Sequence, residues 1–396
     1  MLRLLLLLAI VALAVPATSA QTADDLFFFG RRDPAVGARM AGMGGAAVAG
    51  LGDWSASFAN PAGLGYLRSR QGIVSGHGFV QGAESYGRGY DAEAEGFTLA
   101  TVAVATPLPT ARGAMAVGIG YNETAVYTRG ATNGGGGASG YQSTESGFQG
   151  EVSVAGAIAV SPRVLIGLSV NAPIGRYTFE ESNFDGEADS AAPSFDAEIY
   201  GANVRAGVSF EATPALRIGL TVESPTIMNI DETGPDFGRN EYRIATPWRI
   251  AAGFLASSPQ WLFSADVELV DWSQARFLTD SRDFDTENIF ADRFLNPVLN
   301  TRIGGEFRLG SVALRAGAAF QPDPRLDNFE PEAIRQHYSA GVGVRIAQNA
   351  RIDVALIHTR LADGTRGGLF DDEGFFLWDV DHAFRNSLQF GVDMRF

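Results

Sequence analysis

From about residue 70 to its end, the chain repeats one pattern: segments of period-two alternation joined by connections that are alternately very short and long. In a strand, successive side chains point to opposite faces, so alternation means a sheet with two different surroundings. Leu216, Ile218, Leu220 and Val222 alternate with Arg217, Gly219, Thr221 and Glu223. Val164, Ile166, Leu168 and Val170 alternate with Leu165, Gly167, Ser169 and Asn171. Short connections fall at Pro107-Leu108-Pro109, Ser161-Pro162, Thr213-Pro214, Ser258-Pro259, Leu309-Gly310 and Gln348-Asn349, all tight-turn compositions. Long polar ones span 81–94, 128–147, 180–196, 229–243, 278–298, 322–335 and 362–383. The segments number about fourteen, with short turns at one end and long loops at the other. That is the plan of an all-β, transmembrane antiparallel β-barrel, whose apolar set faces lipid and whose polar set faces the lumen.

The N-terminus fits export. Arg3 gives a basic start, Leu4–Val15 an apolar run ending before Pro16, and Thr18-Ser19-Ala20 a small-residue cleavage site, so residues 1–20 read as a signal peptide. The run is too short for a spanning helix, and no longer apolar stretch follows Gln21. A membrane protein without such helices must close a sheet, because unpaired backbone groups are too costly in hydrocarbon. A bacterial outer membrane is the expected location. The chain has no cysteine, which excludes disulfides, thiolate catalysis and cysteine-bound metal. A net charge of −15 argues against nucleic-acid partners, and with no lysine every fixed side-chain cation is a guanidinium.

The last strand carries Leu388, Phe390, Val392, Met394 and Phe396 on one face and Ser387, Gln389, Gly391, Asp393 and Arg395 on the other. A terminal aromatic on such a strand resembles the signal read by the outer-membrane assembly machinery, which makes Phe396 the candidate assembly residue. Tyr121, Tyr127, Trp248, Trp261 and Trp272 lie near segment ends, as interfacial girdles or as sheet core.

Residues 30–66 lack alternation. They are small and glycine-rich, from Gly37-Ala38-Arg39-Met40-Ala41-Gly42-Met43-Gly44-Gly45-Ala46 to Asn60-Pro61-Ala62-Gly63-Leu64. Such residues cannot build a core alone, so they must lie against something larger. The barrel interior is the first candidate, which makes 21–66 a hatch ahead of a barrel at 67–396; a tail ordered on the rim is the alternative. The Gly37–Leu64 stretch resembles the N-terminal hatch of the FadL/TodX transporters, with Gly42, Gly44, Gly45, Asn60, Pro61, Ala62 and Gly63 as its motif. Ala265-Asp266-Val267-Glu268 with Asp271-Trp272-Ser273, and Leu314-Arg315-Ala316-Gly317 with Tyr338-Ser339-Ala340-Gly341-Val342-Gly343, are similar to later parts of that family. The resemblance implies passive uptake of long-chain fatty acids or aromatic hydrocarbons, released when the hatch or a kinked strand shifts. Gly37–Ala46 is equally similar to the PorV branch, whose barrels serve protein secretion or surface attachment. The mature start, Gln21–Arg32 with Phe27-Phe28-Phe29, does not follow the usual FadL/TodX start closely.

Lumen-facing arginines by alternation include Arg205, Arg217, Arg249, Arg315 and Arg345, any of which could clamp a carboxylate, although mixed interior charges usually pair with each other. Ser75 and His77 share a face but lack a third partner, so no catalysis is expected. His337, His358 and His382 are too dispersed for a metal, and the acidic runs Asp280–Glu287 and Asp371–Glu373 lack a calcium-loop spacing. No cofactor is expected. Expected partners are a hydrophobic small molecule, membrane lipid and lipopolysaccharide, and the assembly machinery, around a monomer.

Overall fold

A computed structural model describes residues 22–396 apart from 86–89, 134–140, 184–193, 236–237, 280–281, 326–333, 361–367, 370–375 and 378–381. The expected signal peptide and the acidic run at 371–373 lie outside these residues.

Fourteen strands form the wall: β1 (Gln71–Ser85), β2 (Tyr90–Leu108), β3 (Met115–Val126, continued by Arg129–Asn133), β4 (Tyr141–Ser161), β5 (Val164–Asn183), β6 (Ser194–Thr213) and β7 (Leu216–Glu223 with Ile227–Gly234). They continue as β8 (Gly238–Ala245 with Arg249–Ser257), β9 (Trp261–Asp271 with Arg276–Phe277), β10 (Pro297–Leu309), β11 (Val312–Pro322), β12 (Ile334–Ala347), β13 (Ala350–Arg360) and β14 (His382–Arg395). Neighbours pair antiparallel, and β1 pairs with both β2 and β14, from Gln71↔Arg395 to Glu84↔His382. The sheet therefore closes, as fourteen-strand alternation requires.

Facing follows the alternation. On β14, Leu388, Phe390, Val392 and Met394 are exposed, while Ser387, Gln389 and Asp393 are buried in the interior. Ile218 and Leu220 face out with Ile166, Leu168 and Val170. No helix among the described residues is long and apolar enough to cross a membrane. Trp248 and Trp261 sit on the outside as girdle residues would, but Tyr127 and Trp272 are buried inside. On an unbroken strand Tyr127 would share the outward face of Val117 and Ile119, and the bulge between Glu123 and Ala125 turns it inward, whereas Trp272 keeps the inward parity of Leu262, Ser264, Asp266 and Val270. The expected loops are shorter than drawn: β1, β2, β5, β6, β7 and β8 extend well into them, and 278–298 carries a helix, Arg282–Phe294.

The bends have local causes. Pro225 and Pro247 lack the N–H a ladder needs and interrupt β7 and β8 at one height. The breach is patched by Thr226 N–H donating to Thr246 Oγ1 and Thr246 N–H donating to the Thr226 carbonyl, both at 3.0 Å. In β9 a 3-10 turn at Trp272–Gln274 does the same, started by the Asp271 carboxylate accepting from Ser273 N–H at 3.3 Å.

Residues ahead of β1 fill the interior. Helix α1 (Ala23–Gly30) is half buried, and α2 (Gly37–Ala41), α3 (Ala56–Ala59) and a 3-10 turn (Pro61–Tyr66) are almost wholly buried. The chain starts near the long-loop end against Tyr177, Tyr242 and the helix Arg282–Phe294 (α4), then runs through the lumen to join β1 at the short-turn end.

Candidate functional site

Close backbone approach seats the hatch. Gly44 has φ +62°, and a Cβ there would lie 2.5 Å from Ala318 N and 2.7 Å from the Ile303 carbonyl oxygen. Gly45 has φ +81°, and its Cβ would strike the Pro34 carbonyl. The wall answers with glycines of its own: side chains at Gly304 or Gly317 would collide with Met43 and Gly44, and at Gly167 with Pro61 and Ala62. Gly42 lies against Gly341, and Gly63 against Gly50. Small residues on both faces are what let a folded segment fit a lumen lined by strands.

Polar groups fix the register. Asn60 Nδ2 donates to the Val48 carbonyl at 2.8 Å and to the Val208 carbonyl at 3.0 Å, while its Oδ1 accepts from Ala62 N–H. Pro61 follows at the start of the 3-10 turn, where a missing N–H is harmless. Asp266 on β9 accepts from Ala47 and Val48 N–H at 2.6 and 3.0 Å. Arg39 on α2 lies between Asp53 at 2.6 Å and Glu306 at 3.1 Å. Arg39 holds the Asp53 carboxyl below the ordinary carboxylate range against the opposing effect of burial, helped by Ser55. Arg32 meets Glu223 at 2.6 Å.

The five arginines singled out by alternation do not converge. Arg205 is bound by Glu223 and Glu151 and donates to the Ser57 carbonyl of the hatch. Arg217 stacks 3.8 Å over the Tyr66 ring and donates to the Gly50 carbonyl. Arg249 meets Glu268 and donates to the Gly30 carbonyl, and Arg315 bridges Glu306 and Asp353. Four therefore brace the hatch or the wall. Arg345 is exposed at the short-turn rim, where a bulge between Arg345 and Ala347 ends the strand, so it is not enclosed in the lumen. Phe396 is also exposed, its N–H bonded to the Arg70 carbonyl beside the start of β1. Ser75 and His77 both point inward and are buried; His77 Nδ1 lies 2.6 Å from Glu123 Oε1. Among the described residues no acidic or histidine group could hold a metal.

Two features escaped the sequence reading. The first is an aromatic chamber at the long-loop end. Phe28 of α1 stacks on Tyr127 at 4.9 Å and meets Tyr177 edge-on at 5.1 Å, and Phe27 meets Trp272 edge-on at 5.0 Å. Tyr242, Phe277 and Phe284 complete it. The Phe27-Phe28-Phe29 run was the available signal, an apolar triplet at the start of a segment otherwise built of small residues. At the outer tip of α1, burial pushes the Asp25 carboxyl up to about 7, and Glu232, Asp24 and Glu287 add to the rise. Its chief opposing contact is Thr22 N–H, which donates to Asp25 at 2.7 Å.

The second is a gap in the wall. β2 and β3 pair from Leu108↔Met115 to Thr101↔Asn122 and again only at Asp91↔Thr132 and Tyr90↔Asn133. Residues 92–100 of β2 therefore have no partner on that side, a length of roughly 30 Å at strand rise. β3 remains paired with β4 across a bulge between Glu123 and Ala125 and so bends away from β2. Carbonyls freed by the bend are taken up from inside: Asp33 N–H of the hatch donates to the Thr124 carbonyl at 2.7 Å, and Arg385 Nη2 to the Val126 carbonyl at 3.3 Å. Phe97 and Leu99, exposed on the outer face, border the gap. Arg385, with Arg335, also holds the Asp33 carboxyl down although burial opposes it.

Cavities adjoining the hatch among the described residues hold about 20 to 40 Å³ each. None of these is an apolar pocket of ligand size behind residues 30–66; the chamber suited to apolar matter is filled by α1.

A closed fourteen-strand barrel, apolar outside and stoppered by its own N-terminal segment, defines the class as a plugged transmembrane β-barrel. Among solved structures the chain is similar to a Pseudomonas aeruginosa FadL homologue, with a TM-score of 0.66 and 13% identity over 92% of this chain and 98% of that one. It is similar to the Ralstonia pickettii toluene transporter TbuX (TM-score 0.64, 16% identity, 92% and 99% covered) and the P. putida toluene transporter TodX (0.63, 12%, 92% and 99%). The chain thus has the fold of the FadL/TodX transporters. No family model and no curated protein matches the sequence.

Proposed function

We propose that the protein is an outer-membrane channel for passive uptake of hydrophobic small molecules. The wall gap between β2 and β3 carries this reading: it opens onto an outer face bearing Phe97 and Leu99, where an apolar solute can leave the lumen without crossing a polar exit. An aromatic chamber lies near the same wall at the long-loop end, and α1 occupies it as an apolar guest would. In this reading a ligand enters by displacing α1 and leaves sideways through the gap, while the ion-paired hatch below closes the way to the short-turn end. The fold shared with toluene transporters supports the ligand class, with long-chain fatty acids as the alternative within it. Signal-peptide cleavage, assembly through Phe396, lipopolysaccharide contact and a monomeric state belong to the same proposal.

The test is uptake of labelled toluene and, separately, oleate by cells expressing the full chain, a deletion of residues 37–64, or empty vector. Uptake above vector for at least one substrate is expected. Equality with vector for both would refute the channel reading.

A further inference from the structure

One interior cavity has an unusual chemical demand. It holds about 40 Å³ between the hatch at Asp33, Pro34 and Ala35 and the inner faces of β1, β12, β13 and β14. Two of its lining side chains are buried with a polar atom that has no partner: His77 Nε2 and Gln389 Oε1. They are cross-strand neighbours, His77 of β1 standing opposite Gln389 of β14, so the two atoms belong to one spot. His337 lines the same cavity with both ring nitrogens engaged, by Thr359 and by Gln321. The unmet groups are thus particular to the His77 side.

Their polarity follows from the tautomer. A Glu123 carboxylate oxygen accepts, so His77 Nδ1 carries the hydrogen of their 2.6 Å bond, and the tautomer with its proton there presents an Nε2 lone pair. Gln389 Oε1 is an acceptor as well. Two acceptors on one wall call for a donor. An unbranched hydrocarbon would leave both unpaired, and a buried acceptor without a partner is costly. A carboxylate brings no donor and would face Glu123 just behind the imidazole. An ammonium would meet Arg385 on the same lining, whose Nε and Nη2 already donate to Gln81 and the Val126 carbonyl. A neutral hydroxyl satisfies the spot. The volume accepts a hydroxyl and about two carbons, at 10–15 Å³ of cavity per water-sized group. The His77 ring lies 5.6 Å from that of Phe79, and Phe79 covers Gly96 on the unpaired stretch of β2, so the cavity neighbours the wall gap.

Resting on the uptake reading above, we propose that this cavity receives the hydroxyl end of an otherwise apolar ligand, which makes apolar alcohols the preferred substrate class. The test compares 1-octanol, n-octane and octanoate. In the full-length protein in lipid nanodiscs with ¹⁵N-labelled histidines, 1-octanol is expected to shift the His77 Nε2 resonance, assigned by its loss in His77→Gln, and the other two are not. In cells, 1-octanol uptake above vector is expected to fall about tenfold in Gln389→Met while n-octane uptake stays unchanged; this variant leaves the His77–Glu123 pair in place should His77→Gln fail to fold. No His77 shift, with 1-octanol and n-octane taken up alike, would overturn the hydroxyl site and leave the channel standing. A shift with octanoate instead would also overturn it, by showing Nε2 to be a donor. If none of the three enters cells above vector, the channel reading fails, and the resonance alone decides the site.

Discussion

Arg39→Met is the perturbation that most directly tests how the hatch is held. The Arg39 side chain is about one-tenth exposed and joins Asp53 of the hatch to Glu306 of β10. Breaking a buried pair from one side typically costs about 3–5 kcal/mol, because it strands a charge. Here the two carboxylates are stranded unequally. Glu306 keeps Arg315 and Arg308 at 2.8 Å each, whereas Asp53 keeps the Ser55 N–H and Oγ, with Arg351 acting on it without a direct ion pair among the described residues. One stranded carboxylate puts the loss near the lower bound, about 3 kcal/mol, or roughly a hundredfold in a local opening equilibrium. Hydrogen exchange of hatch amides in the purified, lipid-embedded protein reads that equilibrium. Met43 and Gly45, both of which donate to the Met40 carbonyl, are expected to exchange about a hundredfold faster in the variant, with amides of β5 and β6 unchanged. Adding Asp53→Asn should recover much of the loss by removing the stranded charge. Acceleration below about fivefold, or no recovery in the double variant, would refute the view that this pair latches the hatch.

Acid should loosen the same latch. The folded Asp53 carboxyl titrates below its unfolded value, so its contribution is present above about pH 4 and is lost as pH falls through the lower folded value; Arg39→Met should lack that acid-side change in exchange. Asp25 has the opposite sign. With a folded pKa raised to about 7, docking of α1 is favoured below about pH 4 and weakens as pH rises through 7, and Asp25→Asn should flatten the α1 exchange profile between pH 5 and 8. Gly44→Ala combines a strained φ with collision against Ala318 and Ile303, so about 2–4 kcal/mol of hatch stability should be lost, seen as protease cleavage within residues 37–53 at concentrations the parent resists. Brominated lipid should quench Trp248 and Trp261, exposed on the wall, but not Trp54 or Trp272, which are buried; single Trp→Phe variants assign the quenched signal.

The wall was legible because alternation is a backbone rule. Ile218, Leu220, Phe390 and Val392 could face only one way once a sheet was assumed, and the prolines and glycines of the short turns fixed the strand count. The hatch was legible from composition, since Gly42, Gly44 and Gly45 make little sense except against another backbone. Side chains that depend on a bend were not. Tyr127 turns inward because the bulge between Glu123 and Ala125 shifts its parity, and that bulge has no strong sequence mark. The arginines misled for a different reason. Alternation says that Arg205 or Arg315 points inward, but which carboxylate meets it depends on register across three strands and on a hatch threading between them. Gln389 was placed on the inner face but given no role, because a lone amide there is ordinary until its cross-strand neighbour is known to be an unsatisfied histidine.

Hatch and gap are physically one arrangement. When β3 leaves β2, the Thr124 and Val126 carbonyls lose the partners that a continuous ladder would give them, and in a membrane such groups cannot be left to hydrocarbon. One is met by Asp33 of the hatch and the other by Arg385, which lies 3.7 Å from Asp33 through Nη1. The gap is thus stable while the hatch is seated, and a shift of residues 31–36 would release Arg385 and uncover the β3 edge together. It follows that loosening Arg39 should be felt at the wall as well as in the lumen. The two anchors are a few residues apart on one short segment, and the irregular stretch of hatch that carries Asp33 leads directly into α2.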